Sequence, residues 1–379
     1  MRKSFLSPLV LASMALTPLT ASAAWYEVTG VSTVLESKNQ ARERALEDAI
    51  YQALRFSGAD IAGLATIRPY LKEVRDDYQF SGDEIRQIQV INTEQKGAAM
   101  KLTVRVDIYP TANACHKNQY KKGLVLSRFD IVTPQHAALG GVFRFGDDFT
   151  VLLQRQFETQ AQSFVVQGIT PYEISPTQPE MATMVAEDTG AQYLLAGSIT
   201  DMSATIDDPG LLKKEQTNRQ LALSIDVMDG KSGEVIYQNI YRDIAAWPFE
   251  RNSKVDTKTA RFWTSPYGEM AQRVSRNILL DLESNLACRA TTPEVISING
   301  DMGQINAGRI HGVKYGDELA LWHNASFTDQ YGVNRTQFKK SNITMKVTRV
   351  YESSSEIDVS PVELGASVQI GDLVTKHTQ

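Results

Sequence analysis

The chain has 379 residues, of which 42% are hydrophobic and 22% charged, with a formal net charge of −5. This is the balance of ordinary globular protein, with enough apolar mass for two or three domains. The acidic balance lacks the basic excess that a nucleic-acid-binding surface needs, so no nucleic acid is expected as a partner.

Arg2 and Lys3 form a short basic start, Phe5 to Leu19 is apolar, and Ala21-Ser22-Ala23 supplies small residues for cleavage. That layout is a secretory signal peptide over residues 1–23. The apolar run falls short of the roughly 20 residues a membrane span requires. No later stretch is long and uncharged enough either, so no transmembrane segment is expected. The mature chain is expected to start near Ala24 or Trp25, outside the cytoplasm.

Residues 25–112 read as a small α+β head. Trp25 to Val31 is a strand. Ser37 with Gln40 three residues on forms a capping box for a helix. Ala41, Ala45, Ala49 and Ala53 make one row of that helix, and Leu46, Ile50 and Leu54 the next. A half-alanine stripe implies close packing on a sheet. Arg42, Arg44, Glu47 and Asp48 are assigned to the opposite, solvated face, and Gly58 to the stop. The stretch up to Tyr78 carries no clear element. Ile85 to Ile91 begins a strand region, Gln95-Lys96-Gly97 turns, and Met100 to Ile108 alternates apolar with polar as a strand with one wet face.

Cys115 and Cys288 are the only cysteines. They bracket the middle segment, residues 115–289. In an oxidising compartment a disulfide between them persists. Closing a loop of roughly 170 residues stabilises near the top of the ~0–5 kcal/mol range. Two unrelated buried thiols are the alternative. Zinc is disfavoured, because two lone cysteines, with only His116 beside the first, lack its ligand spacing. Between them, strands are expected at Gly123–Val132, Phe164–Val166 and Tyr193–Ile199. Helices are expected around Phe149–Phe164, from Pro179 to Gly190, and from Tyr267 to Ala287. Leu221–Val227 and Val235–Tyr241 flank a turn at Asp229–Gly233 and read as a hairpin. Alternating strands and helices with a terminal hairpin describe a mixed α/β unit.

Residues 292–379 read as a tail of short strands at Val295–Ile298, Leu319–Trp322, Ile343–Val347 and Ile357–Val359, punctuated by glycines. A compact SH3-like β-barrel is the expected form.

The chemistry-bearing residues are sparse. His116, His136, His311, His323 and His377 form no HExxH pair, and surface exposure is the default expectation for most. There is no G-x-S-x-G elbow, GxGxxG or P-loop. Gly140-Gly141 reads as a turn. Asp147-Asp148, Asp207-Asp208 and Asp226-x-x-Asp229-Gly230 lack the spaced oxygens of a calcium loop. No catalytic residue, metal or cofactor is expected, and the chain is not expected to be an enzyme.

The helix ending at Asp188-Thr189-Gly190-Ala191, the strand Tyr193–Ile199 and the hairpin around Asp226–Glu234 resemble the amino-terminal domain of TolB. TolB's β-propeller has no counterpart here. With the Trp25-Tyr26-Glu27-Val28-Thr29-Gly30 start, the two-cysteine bracket and the small β tail, the whole mature chain resembles the flagellar assembly protein T family. That resemblance implies a periplasmic structural subunit of the H ring of the flagellar basal body. It implies self-association into a ring around the LP-ring, and seating of the stator-linked T-ring proteins MotX and MotY in a sodium-driven polar flagellum. The competing reading is a periplasmic TolB-like protein-binding module.

Thiol labelling of the denatured, unreduced mature protein is expected to find no free thiol at Cys115 or Cys288; two reactive thiols would sink the pairing.

Overall fold

The computed structural model describes residues 24–35, 37–80, 84–108, 119–207, 216–287, 289, 291–328, 334–360 and 368–377. The signal-peptide reading, Cys115, His116, Asp208 and Cys288 fall outside the described residues. The fold is mixed α+β, with two sheets and six α-helices among the described residues.

The head opens with β1 (Ala24–Thr33), followed by α1 (Lys38–Ser57). The Gln40 N–H donates to Ser37 Oγ at 3.2 Å, and Gly58 stops the helix at φ 76° with its N–H on the Leu54 carbonyl. Ala41, Ala45, Ala49 and Ala53 are at most 1% exposed. They come that close because Gly30 on β1 lacks a side chain: a Cβ there would stand 1.9 Å from the Ala45 carbonyl oxygen. After α1 come α2 (Ala62–Leu71), β2 (Asp77–Gln79), β3 (Ile85–Lys96) and β4 (Ala99–Ile108). They pair in the order β1-β4-β3-β2, all antiparallel. The helix α2 was missed from sequence. It buries Leu64, Ile67 and Leu71, but Gly63 and Pro69 mask that spacing.

Arg42 corrects the expected solvated face. It is 8% exposed and donates to Tyr78 Oη at 3.2 Å and to the Arg75 carbonyl at 2.5 Å. Arg44 is exposed as expected.

The middle segment contains β5 (Lys122–Ser127), β6 (Asp130–Ile131), α3 (Phe145–Gln160), β7 (Phe164–Thr170), α4 (Pro179–Thr189), β8 (Tyr193–Asp201), β9 (Ala204–Asp207), β10 (Gln216–Asp229), β11 (Val235–Ala246), α5 (Ala260–Trp263) and α6 (Pro266–Leu286). The main strand order is β11-β10-β8-β5-β7. β7, β5 and β8 are parallel, and the β10–β11 hairpin adds antiparallel strands. Leu124 and Leu126 face the aromatic core under α3 and α6, while Val125 faces α4, so the sheet is covered on both sides here. Arg219 is fully buried and has no carboxylate partner among the described residues. Its guanidinium donates to the carbonyls of Met202, Leu139 and His136 at 3.1, 3.0 and 2.5 Å and lies 4.4 Å from the Trp247 ring centre. It thereby holds the Pro134–Gly141 loop against the core.

The tail contains β12 (Val295–Asn299), β13 (Met302–Ile305), β14 (Glu318–Thr328), β15 (Asn334–Val350), β16 (Ser355–Asp358) and β17 (Leu373–Lys376). Its strands follow the order β12-β13-β16-β15-β14-β17. Among the described residues no continuous ladder closes this order into a barrel. The gap between first and last strands is spanned by the isolated Glu294–Leu373 bridge and by bonds such as Val374 N–H to the Pro293 carbonyl at 2.8 Å.

The strand β15 extends well before the expected Ile343–Val347. Its first half pairs in parallel with β1, placing Trp25, Tyr26 and Glu27 opposite Gln337, Phe338 and Lys339. Head and tail therefore form one ten-stranded sheet, although the middle segment separates them in the chain. Trp322 and Leu373 from the tail belong to the head's core, and Phe56 of α1 stacks on Trp322 at 3.8 Å. Trp322→Ala is expected to destabilise by about 3–5 kcal/mol and to lower hydrogen-exchange protection of the α1 amides. Unchanged α1 protection would contradict a shared core.

Candidate functional site: the junction of head, middle and tail

Three polar clusters join the segments, and each is built from residues far apart in sequence. The first links head to tail. Glu27 is 6% exposed and accepts from Gln337 Nε2 at 2.6 Å, Lys339 Nζ at 2.9 Å and Arg105 Nε at 3.2 Å. Burial pushes its carboxyl pKa up, but Lys339 and Arg105 outweigh this and hold it below the ordinary range. A carboxylate placed between two cations on neighbouring strands fixes the register in which β4, β1 and β15 meet.

The second cluster lies where the chain enters and leaves the middle segment. Lys122 is 1% exposed and donates through Nζ to the Ala287 carbonyl at 2.7 Å, at the C-terminal end of α6. A cation there complements the helix dipole and satisfies a terminal carbonyl. Burial lowers the Lys122 pKa to about 8, against the favourable charge of Glu283. Beside it, Thr291 Oγ1 donates to the Tyr120 carbonyl at 2.6 Å and the Thr291 N–H to Gln119 Oε1 at 3.2 Å. Tyr120 donates its hydroxyl to Asp317 at 2.8 Å, and Lys376 lies 3.1 Å from the same carboxylate.

The third cluster couples middle to tail through His311. This histidine is 3% exposed, contrary to the surface default. Its Nδ1 accepts the Gly308 N–H at 3.1 Å, its Nε2 lies 3.3 Å from Gln167 Nε2 on β7, and its carbonyl accepts the Lys121 N–H at 2.8 Å. Burial holds the imidazole pKa down at about 4. Next to it runs a cleft of about 440 Å³ carrying Glu187, Asp188, Asp229 and Glu294 against Lys121 and Lys231. Lys231 and Glu294 pair across it at 3.0 Å.

The other histidines and acidic pairs stand apart. His323 bonds to buried Asp372 at 2.9 Å, His136 lies 3.3 Å from Asp201, and His377 is exposed. Asp147 and Asp148 occupy the first turn of α3, where they complement its dipole, and Thr257 donates its hydroxyl to Asp148. Asp229 accepts the N–H groups of Lys231 and Ser232 at 3.0 and 3.1 Å, which is hairpin-turn chemistry. Gly140 and Gly141 have φ of 79° and 66°, as a tight turn requires. Among the described residues no three His, Cys, Asp or Glu side chains gather as metal ligands. Sequence reasoning missed Glu27, Lys122 and His311. Only a charge set among apolar residues of a strand marked Glu27, a lysine pair at the start of an apolar run marked Lys122, and nothing local marked His311.

Family models of flagellar assembly protein T match the chain in order: the N-terminal domain over residues 24–110, the middle domain over 113–257 and the C-terminal domain over 300–376. A comparison with curated proteins finds no match. Among solved structures, a hypothetical protein from Chlamydia trachomatis is 18% identical, with 43% of this chain and 97% of that chain covered and a TM-score of 0.32. A PelC dodecamer from Paraburkholderia phytofirmans is 12% identical, covering 47% and 94%, with a TM-score of 0.29. The LpoB C-terminal domain from Salmonella enterica is 14% identical, covering 34% and 87%, with a TM-score of 0.20. These likenesses are too loose to carry an argument.

The His311 environment has a pH consequence. Unfolded, the imidazole takes up a proton near its ordinary 6.5; folded, it does so only near 4. Below 6.5 the unfolded state binds more protons, so stability is expected to fall from that pH down to about 4. The loss should be on the order of 3 kcal/mol. Urea unfolding across this range should show a flatter slope for His311→Gln. An equally steep slope in the variant would assign the loss to other groups.

Proposed function

The chain belongs to the flagellar assembly protein T family, and from that premise we propose that it is a structural subunit of the periplasmic H ring of the basal body. In this reading it assembles around the LP-ring, is needed for the outer rings, and seats the T-ring proteins MotX and MotY of a sodium-driven polar flagellum. The observation that carries the proposal is the ordered match of all three domain models along one chain. A ring closes when a heterologous contact repeats with a fixed rotation. That demands a subunit whose contact faces hold a fixed relation to one another. The continuous head–tail sheet, pinned at Glu27, supplies such stiffness.

The same reading divides the chain at 25–112, 115–289 and 292–379. The middle segment is taken as a unit like the TolB amino-terminal domain; the α4–β8 succession and the β10–β11 hairpin support this. The tail is taken as an SH3-like relative whose strand order nearly returns on itself. The location is periplasmic after removal of residues 1–23. No helix among the described residues is long and apolar enough to cross a membrane. A Cys115–Cys288 disulfide fits this compartment. Its support is that Lys122 and Thr291, close in sequence to the two cysteines, bond across the same neck.

The test is electron microscopy of basal bodies purified from cells with and without the protein. Loss of an outer ring density in its absence is expected. An unchanged basal body overturns the ring reading and favours the periplasmic binding module.

A further inference from the structure

β11 is the last strand of the middle sheet, and among the described residues its only strand partner is β10. Its other side is an open edge, where unpaired N–H and C=O groups invite a further strand. The hazard here is large. β11 has 12 residues, about twice the usual strand length. Val235-Ile236-Tyr237-Gln238-Asn239-Ile240-Tyr241 holds no charge, proline or glycine, which is the composition of segments that stack on copies of themselves. Ile240 and Ile244 stand 53% and 52% exposed on the face opposite α6.

The ladder shows which groups face outward. The Trp247 N–H donates to the Thr217 carbonyl at 2.8 Å, in line with the Asn218–Ala246 pair. In an antiparallel ladder alternate residues exchange bonds with the partner strand. From Tyr237 to Ala246 the register is unbroken, so the odd-numbered residues bond to β10 and the even-numbered ones turn their N–H groups outward.

Two of those outward groups are already occupied. The Ile240 N–H donates to Asn239 Oδ1 and the Ile244 N–H to Asp243 Oδ1, both at 2.8 Å. Both accepting side chains are anchored by α6: Asn239 Nδ2 donates to Asp281 Oδ2 at 3.3 Å, and Arg273 donates to Asp243 Oδ2 at 3.2 Å. The same arrangement therefore occurs twice, four residues apart. An incoming strand would bring a carbonyl to each of these places and meet an oxygen there in place of a free donor, leaving its own acceptor unpaired.

We propose that Asn239 and Asp243 are edge guards, held by α6, that keep a second copy of this chain from adding its β11 to this strand. The excluded segment is the identical one, because two such uncharged windows pair about a two-fold axis and each satisfies the other's edge. This inference goes beyond the ring reading and does not rest on it.

Hydrogen exchange of the full mature chain is the first test. The Ile240 and Ile244 amides are expected to exchange about fivefold more slowly than the outward amides of Gln238 and Arg242, the weight of one exposed hydrogen bond. Equal exchange would overturn the capping. The second test is sedimentation over a concentration series. Asn239→Val with Asp243→Val removes both oxygens and should associate beyond whatever the unaltered chain shows, with β11 amides gaining protection as concentration rises. Adding Ile240→Lys, a charge inside the window, should reverse this. Asp243→Asn alone keeps an accepting oxygen without the charge and should behave as the unaltered chain does. Thermal unfolding checks the fold of each variant, and Asn239→Ala with Asp243→Ala replaces the valine pair should that pair unfold. No added association from removal of both oxygens, association without protection of β11, or association by Asp243→Asn alone would each overturn the proposal.

Discussion

The parallel pairing of β1 with β15 is the constraint on which the rest depends. It involves few residues, yet it turns two separate small sheets into one. A parallel pair between chain segments this far apart closes a very long loop, and the entropy of that closure must be offset by what the pairing buries. The offset is visible in two places. Trp322 and Leu373 fill a head core that α1 and its own strands leave incomplete. Glu27 takes three charged or polar donors from β4 and β15 at once. A buried carboxylate missing any of them would carry an uncompensated desolvation penalty, so the cluster specifies the register as well as stabilising it.

Buried cations held by carbonyls recur through the fold. Arg42, Lys122 and Arg219 each donate to main-chain oxygens: Arg42 ties the loop before β2 to α1, Lys122 ties the end of α6 to β5, and Arg219 ties a loop to β10. Arg219 also uses the faces of Trp247 and Tyr267. Carbonyl partners leave no trace in sequence. A charged residue facing them reads as a solvated position, which is why Arg42 was assigned to the wet side of α1. Arg44, two positions on, has no such partner among the described residues and is exposed.

What sequence reveals divides along the same line. Periodic, locally capped elements were legible: α1 with Ser37 and Gly58, α4 with Gly190, α6 with its apolar stripe, and the hairpin at Asp229–Gly233. So was the mixed α+β class. Elements whose pattern is broken or borrowed were not. Pro69 obscures α2, and the first half of β15 shows too few apolar residues to read as a strand, although it pairs with both β1 and β14 and sets Phe338 on the head core. The junction residues were least legible, because Glu27, Lys122 and His311 gain their partners only through tertiary contacts far away in the chain.

These junctions explain how a chain of three differently patterned segments behaves as one unit. The middle segment is spliced into the head–tail sheet through a neck, where Lys122 ends α6 and Thr291 bonds to Tyr120. Tyr120 continues to Asp317, and Asp317 to Lys376 on β17. His311 adds a second contact from the tail to β7. The middle segment is therefore restrained at its neck and along one sheet edge. Rotation about the neck alone would break the His311 contacts and expose their polar groups. Restraint at two points is what keeps an inserted segment in fixed orientation, and a fixed orientation is what a repeating assembly contact requires of each copy.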